Sequence, residues 1–166
     1  LGANGAGKST LCKIIAGLHA PTTGSMRLND HPYQPRNKHE AEQAGIQIVQ
    51  QELNIIPTLD VAHNLCLASL PTRFGLVQRR KLYRRARSIL DDFGLQVIDE
   101  QALVSSLGVG QQQMIEIAAN VSRLCKLLIL DEPTAALSLR ETELLFAKLE
   151  QVKQSGTAIV YISHRL

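Results

Sequence analysis

The chain has 166 residues, 45% hydrophobic and 20% charged, with a formal net charge of +3. These values suit one soluble globular domain and argue against disorder, and so small a charge does not by itself select nucleic acid or acidic lipid as a partner. Cys12, Cys66 and Cys125 form no CxxC pair and read as small buried hydrophobes in a reducing compartment, and no apolar run approaches the roughly 18 residues of a membrane-spanning helix.

The first ten residues, LGANGAGKST, fit the pattern GxxxxGK[ST] of a phosphate-binding loop, Walker A. Glycines such as Gly2, Gly5 and Gly7 let the backbone curl so that several N–H donors, including those of Asn4 and Ala6, converge on one anion. Lys8 adds a point charge for the β- and γ-phosphates, and the Ser9 hydroxyl, followed by Thr10, is a ligand for Mg²⁺. Leu11, Ile14, Ile15 and Leu18 recur at helical spacing, which sets a helix N-terminus against the phosphates. A phosphate loop follows a strand that aims it. Only Leu1 precedes Gly2 and there is no initiator Met, so the sequence reads as a piece cut from a longer chain.

Turn chemistry over Pro21–Gly24 precedes a short strand over residues 24–28, and Asn29–Pro35 reads as a loop. A short helix over 39–44 ends at Gly45, and Ile46–Val49 is a compact apolar strand that delivers Gln50, Gln51 and Glu52 to the surface. Asp60 is an N-cap for a helix to about Ser69, stopped by Pro71. A second helix over 78–93 places Leu82, Ala86, Ile89, Leu90 and Phe93 on one face. Arg79, Arg80, Lys81, Arg84, Arg85 and Arg87 occupy much of the rest. No interleaved aromatics or groove-reading motif accompany them, so a solvated face is favoured over a nucleic-acid patch. A third helix runs from Gln111 to Val121. Small residues at Leu107–Gly110 immediately before it form a second anion-binding helix start, with Gly108, Gly110 and Gln111 as its donors. Two phosphate cradles about a hundred residues apart suggest two chains head to tail, each closing the other's nucleotide site.

Lys126–Leu130 is a continuously apolar strand ending in Asp131-Glu132-Pro133, as expected of a central parallel strand buried on both faces. A buried carboxylate is expensive unless it meets a cation, so Asp131 is expected to share Mg²⁺ with Ser9, and Glu132 to orient the attacking water. Ser138 and Glu141 fit a capping box opening a helix to about Gln154, and residues 157–162 form a last strand before Ser163 and His164. Gln51 and His164 both follow strands. The Gln51 amide can reach Mg²⁺ or the attacking water, and His164 the γ-phosphate, although such residues taken singly are more often structural. The alternation of strands and helices predicts an α/β sheet with ligands outside the strands' carboxyl ends.

In this order the motifs resemble the ATP-binding cassette (ABC) ATPases over essentially the whole sequence. Walker A is GANGAGKST, the Q-loop Gln50–Leu53, the signature LGVGQQQ, Walker B LLILDEP, and the switch histidine His164. GANGAGKST, IVQQELNIIP, VGQQQMIEIA, LILDEPTAAL and YISHRL resemble the first cassette of bacterial carbohydrate importers, which carry two cassettes in one polypeptide. The resemblance implies a P-loop NTPase (RecA-like) α/β core over 1–56 and 122–166, lacking the strand before the loop. A helical subdomain over 57–121 is inserted in it. It also implies ATP with Mg²⁺ in a site shared with a second cassette, and hydrolysis coupled to a membrane permease at the cytoplasmic face of the cell membrane. By the same resemblance a solute-binding protein would act indirectly, and no nucleic-acid partner is expected. Two departures stand out: Gly108 replaces the signature serine, and Ser138 replaces the acid that usually ends the D-loop. Competing readings are a soluble ABC ATPase of DNA repair or translation, for which the 57–121 segment lacks long heptads, and a low-turnover regulatory cassette.

Overall fold

The computed structural model describes residues 6–123 and 125–163. Its centre is a parallel three-stranded sheet in the order β3 (Ile46–Val49), β6 (Leu127–Asp131), β7 (Ala158–Ile162). The register pairs Val49 with Leu130 and Asp131 with Ile162, so the carboxyl ends of the three strands lie side by side. The middle strand shows why continuous apolar runs become parallel strands. Its side chains alternate between faces: Leu128 and Leu130 join one hydrophobic cluster and Ile129 another, all three fully buried. Each such side chain contributes about 1.5–3 kcal/mol by leaving water.

The smaller cluster packs Cys12 of helix α1 (Lys8–Ile15), its C-cap Ala16 and Ala41 of α2 (Lys38–Gln43) against Ile46, Ile48 and Ile129. The larger one joins Val49, Leu128 and Leu130 to α3 (Val61–Cys66), α4 (Arg79–Asp92), α5 (Val109–Val121) and α6 (Leu139–Gln154). Caps set the helix starts. Asn37 accepts from Glu40 N at 2.9 Å, Asp60 from His63 N at 2.8 Å, and Ser138 Oγ from Glu141 N at 3.3 Å. Burial pushes the Asp60 carboxyl up, but the His63 backbone and ring and the Tyr83 hydroxyl outweigh it, leaving the group below its ordinary value. Asn64, 7% exposed, clamps the segment after β3 by accepting from Ile56 N at 2.7 Å and donating to Ile56 O at 3.0 Å.

The structure corrects the sequence reading at several points. The stretch 29–35, expected as loop, contains β2 (His31–Tyr33), which pairs antiparallel with β1 (Met26–Leu28). Asn29 and Asp30 hold φ of 50° and 62°, the two left-handed positions of a tight hairpin, and Pro32 is tolerated because the ribbon has only two strands. A second hairpin, β4 (Thr72–Arg73) with β5 (Leu76–Val77), lies where no strand was expected. The helix opening at Val61 reaches Ser69 as expected, but its last turn, Leu67–Ser69, is 3₁₀. Helix α1 ends at Ile15, and Leu11, expected on its apolar stripe, is 57% exposed on the rim of a shallow recess of about 300 Å³ with Tyr33 and Leu127. Cys125 is half-buried, whereas Cys12 and Cys66 are buried as expected.

Candidate nucleotide site at the strand ends

Gly2, Asn4, Gly5 and His164 lie outside the described residues. From Ala6 onward the loop enters α1 directly. Gly7 is the N-cap with φ 81°, a conformation that side chains other than glycine's rarely adopt, and a Cβ built there would meet nothing within 4 Å. Its carbonyl accepts the first helical bond, from Leu11 N at 2.9 Å. No side chain caps this helix and no acid stands in its first turn, so its start suits an anion. Ala6, Gly7 and Thr10 are exposed there, while Lys8 and Ser9 are half-buried.

Ser9 donates to Asp131 Oδ1 at 3.2 Å, a contact between residues 122 positions apart. Asp131 ends the central strand with 7% exposure, so the fold delivers a nearly buried carboxylate to the phosphate loop. Cys12 lies close enough to register that charge: burial first, and Asp131 second, push its thiol up. A hydroxyl and a carboxylate oxygen are hard ligands of the kind Mg²⁺ takes, in sites where substrate phosphates and water complete the octahedron. Among the described residues no three His, Cys, Asp or Glu gather into an all-protein cage. The donor set fits a metal shared with phosphate.

Glu132, half-buried, shows a feature that the sequence did not reveal: its φ is 51°. Left-handed backbone in a non-glycine residue costs on the order of 1–3 kcal/mol and concentrates at functional sites. Here Glu132 N donates to Ile162 O at 2.9 Å, and just beyond it the Thr134 and Tyr161 hydroxyls meet at 3.1 Å. The neighbouring strand β7 therefore holds the turn on which Glu132 sits. Sequence reasoning missed Thr134 and Tyr161, whose partnership spans 27 positions and leaves no local signal. Gln51 is exposed two residues past β3, at the same sheet end as Asp131 by the Val49–Leu130 register.

The segment expected as a second cradle lies at the start of α5, which opens at Val109 and so takes in Gly110 and Gln111 rather than following Gly110. Gly108 N donates to Gln111 Oε1 at 3.2 Å, so Gln111 turns back onto its own helix start. Gly110 packs against the segment after β6: a Cβ there would stand 2.6 Å from Glu141 Oε2 and 3.1 Å from Ala136 O. The structure thus brings Ser9 to Asp131, and Gly110 to Ala136 and Glu141, as two distinct groupings.

An α/β sheet with a phosphate loop, a buried strand-end acid and a helical segment between its strands defines an ATP-binding cassette of the P-loop NTPase class. The chain belongs to the ABC transporter family, whose model matches residues 1–135. It is 46% identical over all 166 residues to the ribose import ATP-binding protein RbsA of Chromobacterium violaceum, covering 33% of that protein. It is 43% identical over the same length to the arabinose import ATP-binding protein AraG of Rhizobium meliloti, covering 32% of it. The chain therefore spans about a third of the length of the curated relatives it matches. Among solved structures it resembles the ATP-binding cassette MJ0796, a dimer in a post-hydrolysis state bound to ADP and Pi. That match has a TM-score of 0.80 at 26% identity and covers 98% of this chain and 72% of that one. No helix among the described residues is long and apolar enough to cross a membrane.

Proposed function

We propose that this chain is the ATP-binding and ATP-hydrolysing part of a subunit that energises import of a sugar or related small solute. The observation that carries the reading is the Ser9–Asp131 contact at 3.2 Å, which joins the phosphate loop to the end of the central strand. In this reading the backbone from Gly2 to Thr10 and the Lys8 ammonium bind the β- and γ-phosphates, and Ser9, Asp131 and Gln51 hold Mg²⁺. The metal supplies charge neutralisation on the phosphate oxygens. Glu132 takes the proton of the attacking water while its strained turn keeps the carboxylate directed, and His164 donates to the γ-phosphate. Gly108, Gly110 and Gln111 serve a second cassette's nucleotide, as the dimeric neighbour suggests.

Support for the substrate class comes from the relatives' names, which specify ribose and arabinose import. The two differ in sugar at similar identity, which favours a sugar or related small solute without selecting one. The α/β core of 1–56 and 122–166, with the helical part 57–121, would dock through the Q-loop on a membrane permease at the cytoplasmic face. A solute-binding protein would feed that permease. Glu132→Gln in the full-length protein should bind ATP normally and turn it over on the order of 10²–10⁴-fold more slowly, the usual worth of a general base. Steady-state phosphate release that is unchanged in this variant would refute the assignment.

A further inference from the structure

The β4–β5 hairpin and the start of α4 gather several features that cost stability and that nothing else in the fold uses. Phe74 and Gly75 are the two turn residues, with φ of 50° and 77°. That turn strongly prefers Asn or Gly at its first position, and a bulky aromatic in left-handed backbone is strained. Phe74 is 91% exposed and Leu76 is 75% exposed. Val77, by contrast, packs against the main core and anchors the hairpin, and Gln78 N donates to Pro71 O at 2.7 Å across its base. The tip is therefore a fixed apolar projection.

Charge is concentrated at the same corner. Between Val61 and Leu90 the sequence has seven arginines and lysines and no acid, against a net charge of only +3 for the whole chain. Arg87 is neutralised by Asp91 at 3.0 Å and Glu100 at 3.2 Å. Among the described residues, Arg73, Arg80, Lys81 and Arg84 take part in no ion pair and are exposed. Arg73 stacks on Phe74 at 5.2 Å. Arg80 and Lys81 occupy the first turn of α4, the positive end of the helix dipole, with no acid there. Arg80 and Arg84 repel as like charges four apart. An anionic surface would relieve both penalties.

We propose that this corner is a docking surface for an anionic lipid bilayer: Phe74 and Leu76 enter the headgroup layer while Arg73, Arg80, Lys81 and Arg84 face the phosphates. Basic residues on a helix beside an apolar insertion are the two signals that stable peripheral attachment requires. The buried face of α4, with Leu82, Ala86, Ile89 and Leu90, is already used by the core, so the hairpin supplies the wedge. Single-stranded nucleic acid fits less well, because successive bases need several ring faces and Phe74 is the sole aromatic of the hairpin.

The inference goes beyond the ATPase reading and is tested without nucleotide or permease, so the two can fail independently. Full-length protein is sedimented with vesicles of phosphatidylcholine alone, and with vesicles of phosphatidylethanolamine and phosphatidylglycerol. Binding should require the phosphatidylglycerol and weaken as salt rises. Phe74→Asn suits the turn and should preserve folding, yet weaken vesicle binding by about tenfold. Arg80→Gln with Arg84→Gln should weaken it by about fivefold for each charge removed. Equal binding to both vesicle types, or binding that neither variant alters while circular dichroism stays native, would overturn the proposal. Retention of a single-stranded oligonucleotide through Arg80 and Arg84, with vesicles left unbound, would overturn it in favour of a nucleic-acid surface.

Discussion

Gly110 offers a test of how the signature segment is coupled to the segment after Walker B. Replacing it with Ala gives two opposing effects. Within a helix the substitution is favourable by about 0.5–1 kcal/mol, because Ala has less chain entropy to lose. Against this, the new Cβ would stand 2.6 Å from Glu141 Oε2. Moving the end of a flexible side chain is ordinarily cheap, but that oxygen accepts from both Ser138 N and Ser138 Oγ at 2.8 Å. Displacing it dismantles the capping box of α6, worth about 0.5–2 kcal/mol, and Ala136 O, at 3.1 Å from the Cβ, must also give way. Gly110→Ala should therefore destabilise the cassette by about 1 kcal/mol net, a fall in melting temperature of about 2–4 °C for a domain of this size. In a Glu141→Ala background the obstacle and most of the cap are already gone. With only the Ala136 O contact at 3.1 Å left to relieve, the same change should then cost clearly less, a departure from additivity in thermal melts of the four proteins. Equal cost in both backgrounds would refute the coupling.

Two further outcomes follow from the site and the core. Lys8→Ala should abolish the thermal protection conferred by ATP, which at a hundredfold excess over the dissociation constant is worth about 2.7 kcal/mol in the unmutated protein; a melt protected as before would remove Lys8 from the phosphate site. Glu116 is 4% exposed, and burial raises its pKa despite opposing hydrogen bonds from Asn54 and the charge of Lys38. A carboxyl raised in the folded state binds its proton more tightly there than in the unfolded chain. Stability is therefore whole below the ordinary carboxyl pKa and is lost as pH rises through the folded one. Glu116→Gln removes that loss, so its melting temperature relative to the parent should climb with pH above the ordinary carboxyl range. A pH-independent difference would contradict the assignment.

The two departures from the family pattern have different structural outcomes. Ser138 caps α6 through both its backbone and hydroxyl bonds to Glu141, so the position keeps a local role without an acid. Gly108 lacks a hydroxyl, and its backbone donor is taken up by Gln111 at 3.2 Å. This chain's own grouping of Ser9 and Asp131 touches neither residue.

Strands β3 and β6 and helices α4 and α6 were legible from the chain because each carries enough residues for periodicity, caps and apolar runs to agree. The same local chemistry marked Lys8, Ser9, Asp131 and Glu132 as candidates, since a glycine-rich loop and an acid after a buried strand are unusual neighbours for ordinary loops. The two hairpins were not legible: strands of two or three residues carry no period, and Phe74 breaks the residue preference of the turn it occupies. Leu11 fits a helical stripe in sequence, yet its exposure depends on which strands stand beside α1. The left-handed backbone of Glu132, the Thr134–Tyr161 contact and the seating of Gly110 on Glu141 also came only from the folded chain. Sequence alone determined which groups could meet a phosphate, because residue type and local backbone preference suffice for that. Which of them meet one another was decided by tertiary structure, because Ser9 and Asp131, 122 residues apart, are joined by the packing of α1 against the central strand β6.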